Sequence, residues 1–153
     1  MNRRTLLKRS LAASAVGVAA GAGLLTPGAV MAAYPKAAFA AKSVADSLSG
    51  TMGGSSFAHS DDIKIKAPDI AENGAVVPVT VSSGIAGVES IAIISEGNNT
   101  PLVAVFNLNG SNAYVSTRIK MGKTGNVLAV VKAGGALHAN KKEVKVTIDG
   151  CGG

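Results

Sequence analysis

The sequence predicts a mainly β protein: an immunoglobulin-like antiparallel β-sandwich with a short N-terminal helix and a flexible C-terminal arm. Residues 57–148 contain short runs rich in β-branched residues, separated by clusters of Asn, Gly and Pro. No helical pattern lies between these runs, so turns rather than helical crossovers should join the strands. The chain has no Trp and a single Cys, so this prediction depends on the number of strands and not on antibody-type markers.

Residues 1–32 have the pattern of a cleavable export signal. Arg3-Arg4 precede an apolar, Ala/Gly-rich run over residues 11–25. Small or aliphatic residues at Val30-Met31-Ala32 predict cleavage after Ala32, with Ala33 as the alternative. The apolar run of about 15 residues is shorter than the roughly 20 that a membrane-spanning helix needs. We therefore expect a periplasmic protein exported by the twin-arginine pathway, without a membrane anchor.

Removal of the signal changes the charge of the chain. Four basic residues and no acidic residue leave with it, so 11 basic and 9 acidic residues remain, a formal charge of +2. The remaining lysines are dispersed, Arg118 is the single remaining arginine, and no aromatic platform accompanies them. This composition disfavours nucleic-acid binding. The mature chain of about 120 residues suits one domain with one core.

Residues 33–56 are predicted to form an N-terminal helix and a Gly/Ser connector. The helix is expected over residues 35–48, because proline suits a first turn and Phe39, Val44 and Leu48 fall close to one face. The glycines of residues 50–56 should end it and form a flexible connector. They do not form a phosphate loop, since the required spacing and the Lys-Ser/Thr ending are missing.

Seven strands are predicted in the β-sandwich domain, residues 57–148. The expected strands are 63–66, 76–83, 90–95, 102–108, 113–121, 127–133 and 143–148. Pro78 interrupts the second of them, which indicates an edge or a bulge at that point. In the last strand Val144, Val146 and Ile148 alternate with polar residues, so one face should be buried. The terminal residues then leave directly from this strand.

Residues 149–153 are predicted to form a carrier arm that presents the thiol of Cys151. The arm consists of Asp149, Gly150, Cys151, Gly152 and Gly153. A single cysteine in an exported protein cannot form an internal disulfide, so it pairs with another molecule, is modified, or stays free. Glycines keep the backbone slender and freely rotatable. If residues 147–153 are extended, they span about 23–25 Å, a length that suits entry into another protein's active site.

The surroundings of Cys151 in the sequence do not indicate a self-activated nucleophile. Asp149 and the terminal carboxylate are both close, and negative charge disfavours the thiolate. A cysteine hydrolase also needs a nearby histidine. His59 and His138 are interpreted as solvated loop residues without an orienting partner. We therefore predict no catalytic residues, and a thiol that an enzyme must activate.

A metal or cofactor site is not predicted either. One cysteine and two distant histidines make a poor ligand set, and Met52 and Met121 do not complete it. Two alternatives to a carrier stay open from the residues themselves. One is a structural immunoglobulin-like module that dimerises through Cys151, and the other is a small redox or copper protein.

Several segments together resemble SoxY, the sulfur-carrier subunit of the periplasmic thiosulfate-oxidising Sox system, over nearly the whole chain. Besides the twin-arginine signal, they are Pro35-Lys36-Ala37-Ala38-Phe39, Ala67-Pro68, Ala71-Glu72-Asn73-Gly74-Ala75, Val77-Pro78-Val79, Pro101-Leu102-Val103-Ala104, Ser116-Thr117-Arg118-Ile119 and the ending from Val146 to Gly153. The family usually ends in Gly-Gly-Cys-Gly-Gly, and Asp149 stands where its first glycine is expected. Asn98-Asn99-Thr100 also departs from the usual Asn-Pro.

The resemblance implies that Cys151 bears the substrate covalently and that the protein itself catalyses nothing. A haem enzyme would couple thiosulfate oxidatively to the cysteine, and a manganese hydrolase would release sulfate. A molybdenum enzyme, where present, would oxidise the remaining sulfane. The resemblance also implies a heterodimer with SoxZ, a second β-sandwich that lacks cysteine.

Overall fold

A computed structural model describes residues 35–147 of the chain. The chain divides into residues 1–35 and 36–153, and all described helices and strands belong to the second part. The predicted signal peptide (1–32) and carrier arm (149–153) lie outside the described residues. None of the described helices is long and apolar enough to cross a membrane.

The described residues form two helices and nine strands. The helices are α1 (Lys36–Ala40) and α2 (Val44–Met52). The strands are β1 (Ala58–His59), β2 (Ile63–Lys66), β3 (Ile70–Ala71), β4 (Val77–Ser83), β5 (Val88–Ser95), β6 (Leu102–Asn107), β7 (Tyr114–Ile119), β8 (Gly125–Ala133) and β9 (Ala136–Val146).

The strands build two sheets that face each other. The larger sheet has the order β1-β9-β8-β5-β6, with β3 also paired to β9, and the smaller has the order β2-β4-β7. This confirms the mainly β, sandwich-type fold. One part of the prediction needs correction, because β1 and β3 pair parallel to β9. These two-residue pairings run along the outer edge of the long last strand, while the other ladders are antiparallel.

The core between the sheets follows from alternation along the strands. In β4, Val77, Val79 and Val81 are buried, while Pro78 is exposed. They join a cluster that also contains Ile63, Ala71, Ile91, Ile93, Leu108, Val115, Ile119, Met121, Val127, Ala129, Val131 and Val144. Apolar residues at every second position of a strand bury one face of the sheet. The β-branched content of the two segments predicts β4 and β7, and the alternate burial within them gives each strand one face toward this core.

A third layer covers the outer face of the larger sheet. Helices α1 and α2 pack there on a second cluster made of Ala38, Leu48, Met52, Ala92, Ile94, Leu102, Leu128, Val130, Leu137 and Ala139. Strands β5 and β8 are consequently buried on both faces. Neighbours such as Ile93 and Ile94 are both 0% exposed but belong to different clusters. The sequence predicted the helix without showing that it extends the core.

The predicted single helix over residues 35–48 is two helices, and it does not end at Leu48. Ser43 begins α2 as its N-cap, in an extended conformation, and its Oγ accepts a hydrogen bond from the Asp46 amide at 3.1 Å. Helix α2 continues through Gly50 to Met52, and Gly53, with φ +76°, is its C-cap. Burial of Met52 in the outer cluster stabilises this last turn, so residues 50–52 do not belong to the predicted connector.

The strand prediction is wrong at three places, because it omits β1 and β3 and begins β9 too late. Two-residue strands such as β1 and β3 are too short to show a periodicity. Strand β9 begins at Ala136 rather than at residue 143, because Gly134-Gly135, both with positive φ, join it to β8 as a two-residue hairpin. The first part of β9 is rich in polar residues, which concealed the strand.

Pro78 fits the prediction of an edge. Strand β4 lies in the middle of the smaller sheet, but its ladder to β2 covers only residues 80–83. At Pro78 the strand has one neighbour, Arg118 of β7. The missing backbone N–H of proline is tolerated where a strand lacks a partner on one side.

The contact between α1 and α2 allows a prediction at Gly50. A Cβ added there would lie 2.8 Å from Ala38 Cβ, too close for either helix to stay in place. Overpacking costs about 1–3 kcal/mol, and alanine returns only about 0.5–1 kcal/mol of helix preference. We expect Gly50→Ala to lower the free energy of unfolding by about 1 kcal/mol, measured by urea denaturation.

A matched control is Gly84→Ala. A Cβ at Gly84 meets nothing within 4 Å, so the free energy of unfolding should change by less than about 0.5 kcal/mol. A Gly50→Ala protein as stable as the unmodified one would contradict the close packing of the helices.

Candidate functional site

The candidate site is the end of β9, from which the predicted carrier arm leaves. Its outer side is held by β3, which pairs Ile70 with Lys145 and Ala71 with Val146. The Lys145 amide donates to Asp69 O at 3.0 Å, and the Thr147 amide donates to Ala71 O at 3.1 Å. Backbone hydrogen bonds therefore hold the chain up to the last described residue.

The inner side of the same strand end is held by Thr124, which directly precedes β8. The Val146 amide donates to Thr124 Oγ1 at 2.8 Å, and this hydroxyl lies 3.4 Å from Val146 O, to which it donates in turn. Val144, two residues earlier, is completely buried in the core between the sheets. Hydrogen bonds therefore hold the base of the arm on both edges of β9, and burial of Val144 anchors it to the core.

An ion pair adds to this support. Lys142 Nζ lies 3.0 Å from Asp69 Oδ1 and donates to Ala67 O at 2.7 Å. The Asp69 side chain is 89% exposed, so solvent screens the pair and its contribution to stability is small. Its effect is positional, because it ties the segment that leads into β3 to the strand that carries the arm.

Two turns beside the arm base are joined by Asn98. Its Nδ2 donates to Lys120 O at 2.7 Å, and its Oδ1 accepts from the Gly122 amide at 2.8 Å. The lack of a side chain at Gly97 allows the two turns to approach each other closely, since a Cβ there would lie 3.2 Å from Lys123 Cγ. An open cavity of about 380 Å³ lies between the turns and is lined by Gly97, Asn98, Asn99, Thr100, Lys120, Gly122 and Lys123. Asn98 therefore holds the loop that carries Thr124.

The Thr124 contact gives a prediction for the arm base. Thr124→Val keeps the shape of the side chain and removes the acceptor of the Val146 amide. A hydrogen bond of this kind contributes about 0.5–1.5 kcal/mol, so the Val146 amide should exchange with solvent about two- to tenfold faster. Hydrogen exchange followed by NMR measures this rate.

Thr80→Val serves as the control, because the Thr80 hydroxyl bonds Ser116 Oγ at 2.9 Å on the smaller sheet. It should leave exchange at Val146 unchanged. Equal exchange rates in the Thr124→Val and unmodified proteins would show that Thr124 does not hold the arm base.

The structure places both histidines on strands, whereas the sequence analysis interpreted them as solvated loop residues. His59 lies in β1 and His138 in β9, and these strands are neighbours, with Ala58 opposite His138. His59 also has a partner, since its Nε2 lies 3.0 Å from Asp61 Oδ1. Successive residues of a strand point to opposite faces, so the two imidazoles project to opposite sides of the sheet.

The other candidate ligands are dispersed as well. Met121 is buried in the core between the sheets, and Met52 lies in the outer cluster, where its sulfur accepts a hydrogen bond from Ser90 Oγ. Among the described residues, no three His, Cys, Asp or Glu side chains are grouped as metal ligands would be.

The predicted site residues themselves, Asp149, Gly150, Cys151, Gly152 and Gly153, lie outside the described residues. The structure adds residues that the sequence analysis did not assign to the site: Asp69, Asn98, Thr124 and Lys142. Ala67-Pro68 and Ala71 belong to segments that carry the family resemblance, but their pairing with β9 has no local signal. Contacts between residues more than 70 positions apart cannot be inferred from either segment alone.

The fold and this strand end define a class of protein: a β-sandwich whose last described strand is held on both edges and is followed in the sequence by a single cysteine. The family model of the sulfur oxidation protein SoxY matches residues 48–151. The chain belongs to the SoxY family. The matched region includes both the described sandwich and Cys151.

Comparison with solved structures agrees with this assignment. The sulfur carrier protein SoxY from Chlorobium limicola f thiosulfatophilum has 44% sequence identity and a TM-score of 0.59, covering 67% of this chain and 94% of that chain. A superoxide reductase (neelaredoxin) from Ignicoccus hospitalis has 24% identity and a TM-score of 0.48, covering 55% and 79%. This second likeness is too weak to inform fold or function. No curated protein matches the chain.

Proposed function

We propose that this protein is a covalent carrier of sulfur intermediates, which it bears on Cys151 during thiosulfate oxidation and presents to successive periplasmic Sox enzymes. The observation that supports this most is the SoxY family match, which extends to Cys151. The similar structure from Chlorobium limicola is itself described as a sulfur carrier. A base held by β3 and Thr124, followed by a glycine-rich ending, suits the presentation of a thiol.

The chemistry of loading is an oxidative coupling. The Cys151 thiol loses its proton, and a bond forms between its sulfur and the outer sulfur of thiosulfate, giving a cysteine S-thiosulfonate. The two electrons released pass to the haem enzyme. Water then attacks the terminal sulfone in the hydrolase, the sulfur–sulfur bond to that group breaks, and sulfate and a proton leave. A persulfide stays on Cys151 for the next enzyme.

The carrier supplies the attachment point and not the catalysis. His138 lies eight positions before Val146 on the same strand, which places it roughly 26 Å from the arm base. His59 is paired beside it. The histidines that could act as a general base are therefore at the opposite end of β9, which supports activation of the thiol by the enzymes that receive it.

The proposal includes a permanent partner and a location. A SoxZ-like β-sandwich would form a heterodimer with this chain, and β6, β2 and β7, each of which has a strand neighbour on one side only, offer edges for such pairing. The haem coupling enzyme, the manganese hydrolase and, where present, a molybdenum dehydrogenase would dock transiently. The twin-arginine signal would direct the protein to the periplasm.

Intact-mass spectrometry of the protein purified from the periplasm tests the proposal. Cells supplied with thiosulfate are compared with starved cells, each sample is measured with and without reductant, and the modified peptide is located by fragmentation. We expect reductant-labile additions of sulfur or thiosulfonate groups on Cys151. A bare thiol or a self-disulfide alone would contradict the carrier and support the structural module that dimerises through Cys151.

A further inference from the structure

The outer face of the smaller sheet bears a regular array of basic and hydroxyl side chains. The register places Lys64 opposite Ser82 and Lys66 opposite Thr80. The next strand continues these rows, with Thr80 opposite Ser116 and Pro78 opposite Arg118. Lys64, Lys66 and Arg118 are exposed, and on the opposite face of the same strands Ile63, Val115 and Ile119 are buried in the core. We call Lys64, Lys66 and Arg118, with the hydroxyls between them, the basic face.

The three cations form no ion pair with a carboxylate among the described residues, although Asp61 and Asp62 directly precede β2. Strands β2, β4 and β7 contain no Asp or Glu. The ion pairs among residues 35–147 are His59 with Asp61 and Lys142 with Asp69, so the three cations of the basic face have no carboxylate partner there. The mature chain carries a formal charge of only +2. Three of the eleven basic residues of the mature chain therefore lie together on this face.

The basic face extends to the end of the sandwich from which the arm leaves. Lys66 ends β2, and Asp69, three residues later, accepts a hydrogen bond from the Lys145 amide beside the arm base. Three residues span at most about 11 Å. On β7, Arg118 lies three residues before Met121, whose amide donates to Gly74 O in the segment between β3 and β4. A protein that takes the arm into its active site would come close to these cations.

The composition of the basic face indicates a transient partner. The centres of stable interfaces are apolar and poor in charge, whereas this face carries three cations and several hydroxyls beside the exposed Pro78 and Tyr114. Complementary charge mainly increases association rates and orients partners. We propose that the basic face docks the acidic surface around the active-site entrance of an enzyme that receives the arm. This proposal rests on the proposed function.

Charge reversal tests the docking. The variant Lys64→Glu/Lys66→Glu/Arg118→Glu changes three exposed positions. The control Lys36→Glu/Lys42→Glu/Lys141→Glu makes the same change of charge at exposed positions on α1, on the α1–α2 loop and on β9. The mature carrier is loaded on Cys151 by the haem thiosulfate-coupling enzyme of the same organism. The rate is followed by mass spectrometry at several carrier and salt concentrations, and melting temperatures check the fold.

We expect the basic-face variant to raise KM for the carrier about tenfold or more while kcat is retained, because the encounter and not the chemistry is affected. The decrease of kcat/KM with added salt should be lost in this variant and kept in the control. Equal kinetics in the two variants would overturn the docking. Failure of the unmodified protein to be loaded at all would instead overturn the proposed function, and with it an enzyme as the occupant of this face.

Discussion

Replacement of Cys151 by serine is expected to abolish thiosulfate oxidation by a reconstituted system that depends on this protein. The chain contains one cysteine, so no other thiol can replace it. A serine hydroxyl cannot form a sulfur–sulfur bond with thiosulfate, and the oxidative coupling has no substitute acceptor. Electron transfer from thiosulfate, followed through reduction of the haem enzyme, should fall to the level measured without carrier, and no mass should be added to the protein.

A second thiol placed elsewhere is the matched control for this loss. Ser55 is exposed in the glycine-rich segment after α2, so Cys151→Ser/Ser55→Cys places an accessible cysteine far along the chain from the arm. Small thiol reagents should modify it, but the Sox enzymes should not load it. Continued thiosulfate oxidation by Cys151→Ser would contradict the carrier role. Loss of a disulfide dimer with oxidation intact would favour the structural module.

Replacement of Ile94 by alanine is expected to destabilise the protein about as much as replacement of Ile93. Ile94 is fully buried against α1 and α2, and Ile93 is fully buried between the two sheets. Truncation of a buried isoleucine costs about 2–5 kcal/mol. Either variant should therefore lower the free energy of unfolding by about 2–5 kcal/mol, measured by urea denaturation of the mature protein.

The comparison between the two neighbours tests whether the helices belong to the folded core. If α1 and α2 were a loosely attached extension, Ile94 would be solvated in the native state and its truncation would cost less than about 0.5 kcal/mol. Val76, which is 53% exposed, provides that reference, because Val76→Ala removes methyl groups from the surface. A cost at Ile94 as small as the cost at Val76 would contradict the three-layer arrangement.

Local pattern predicted strands in which β-branched residues line one buried face of a sheet and the other face is solvated. Strand β4 shows this, with Val77, Val79 and Val81 buried between outward residues. The same approach located β5 and β8 as apolar runs but did not explain them. Their continuous burial results from the helices that cover the second face, and a run of apolar residues does not show what covers it.

The prediction failed where long-range contacts override local preference. Gly50 would normally end a helix, but burial of Met52 extends α2 by one turn. The first half of β9 has no β-branched residue, yet it pairs with β8 residue by residue from the Gly134-Gly135 hairpin onward. The free energy of those contacts exceeds the small propensity differences that a sequence displays.

The sequence by itself displayed the features that depend on neighbouring residues: the single cysteine between glycines and the β-rich domain before it, together with the pattern from which we predict a twin-arginine signal. Chain flexibility and thiol chemistry are local properties, so contiguous residues are sufficient to predict them. Only the tertiary structure decided how β3 and Thr124 hold the base of the arm, and how three cations of β2 and β7 form one face. These arrangements depend on strand register, which contacts between residues distant in the chain establish only when the core is formed.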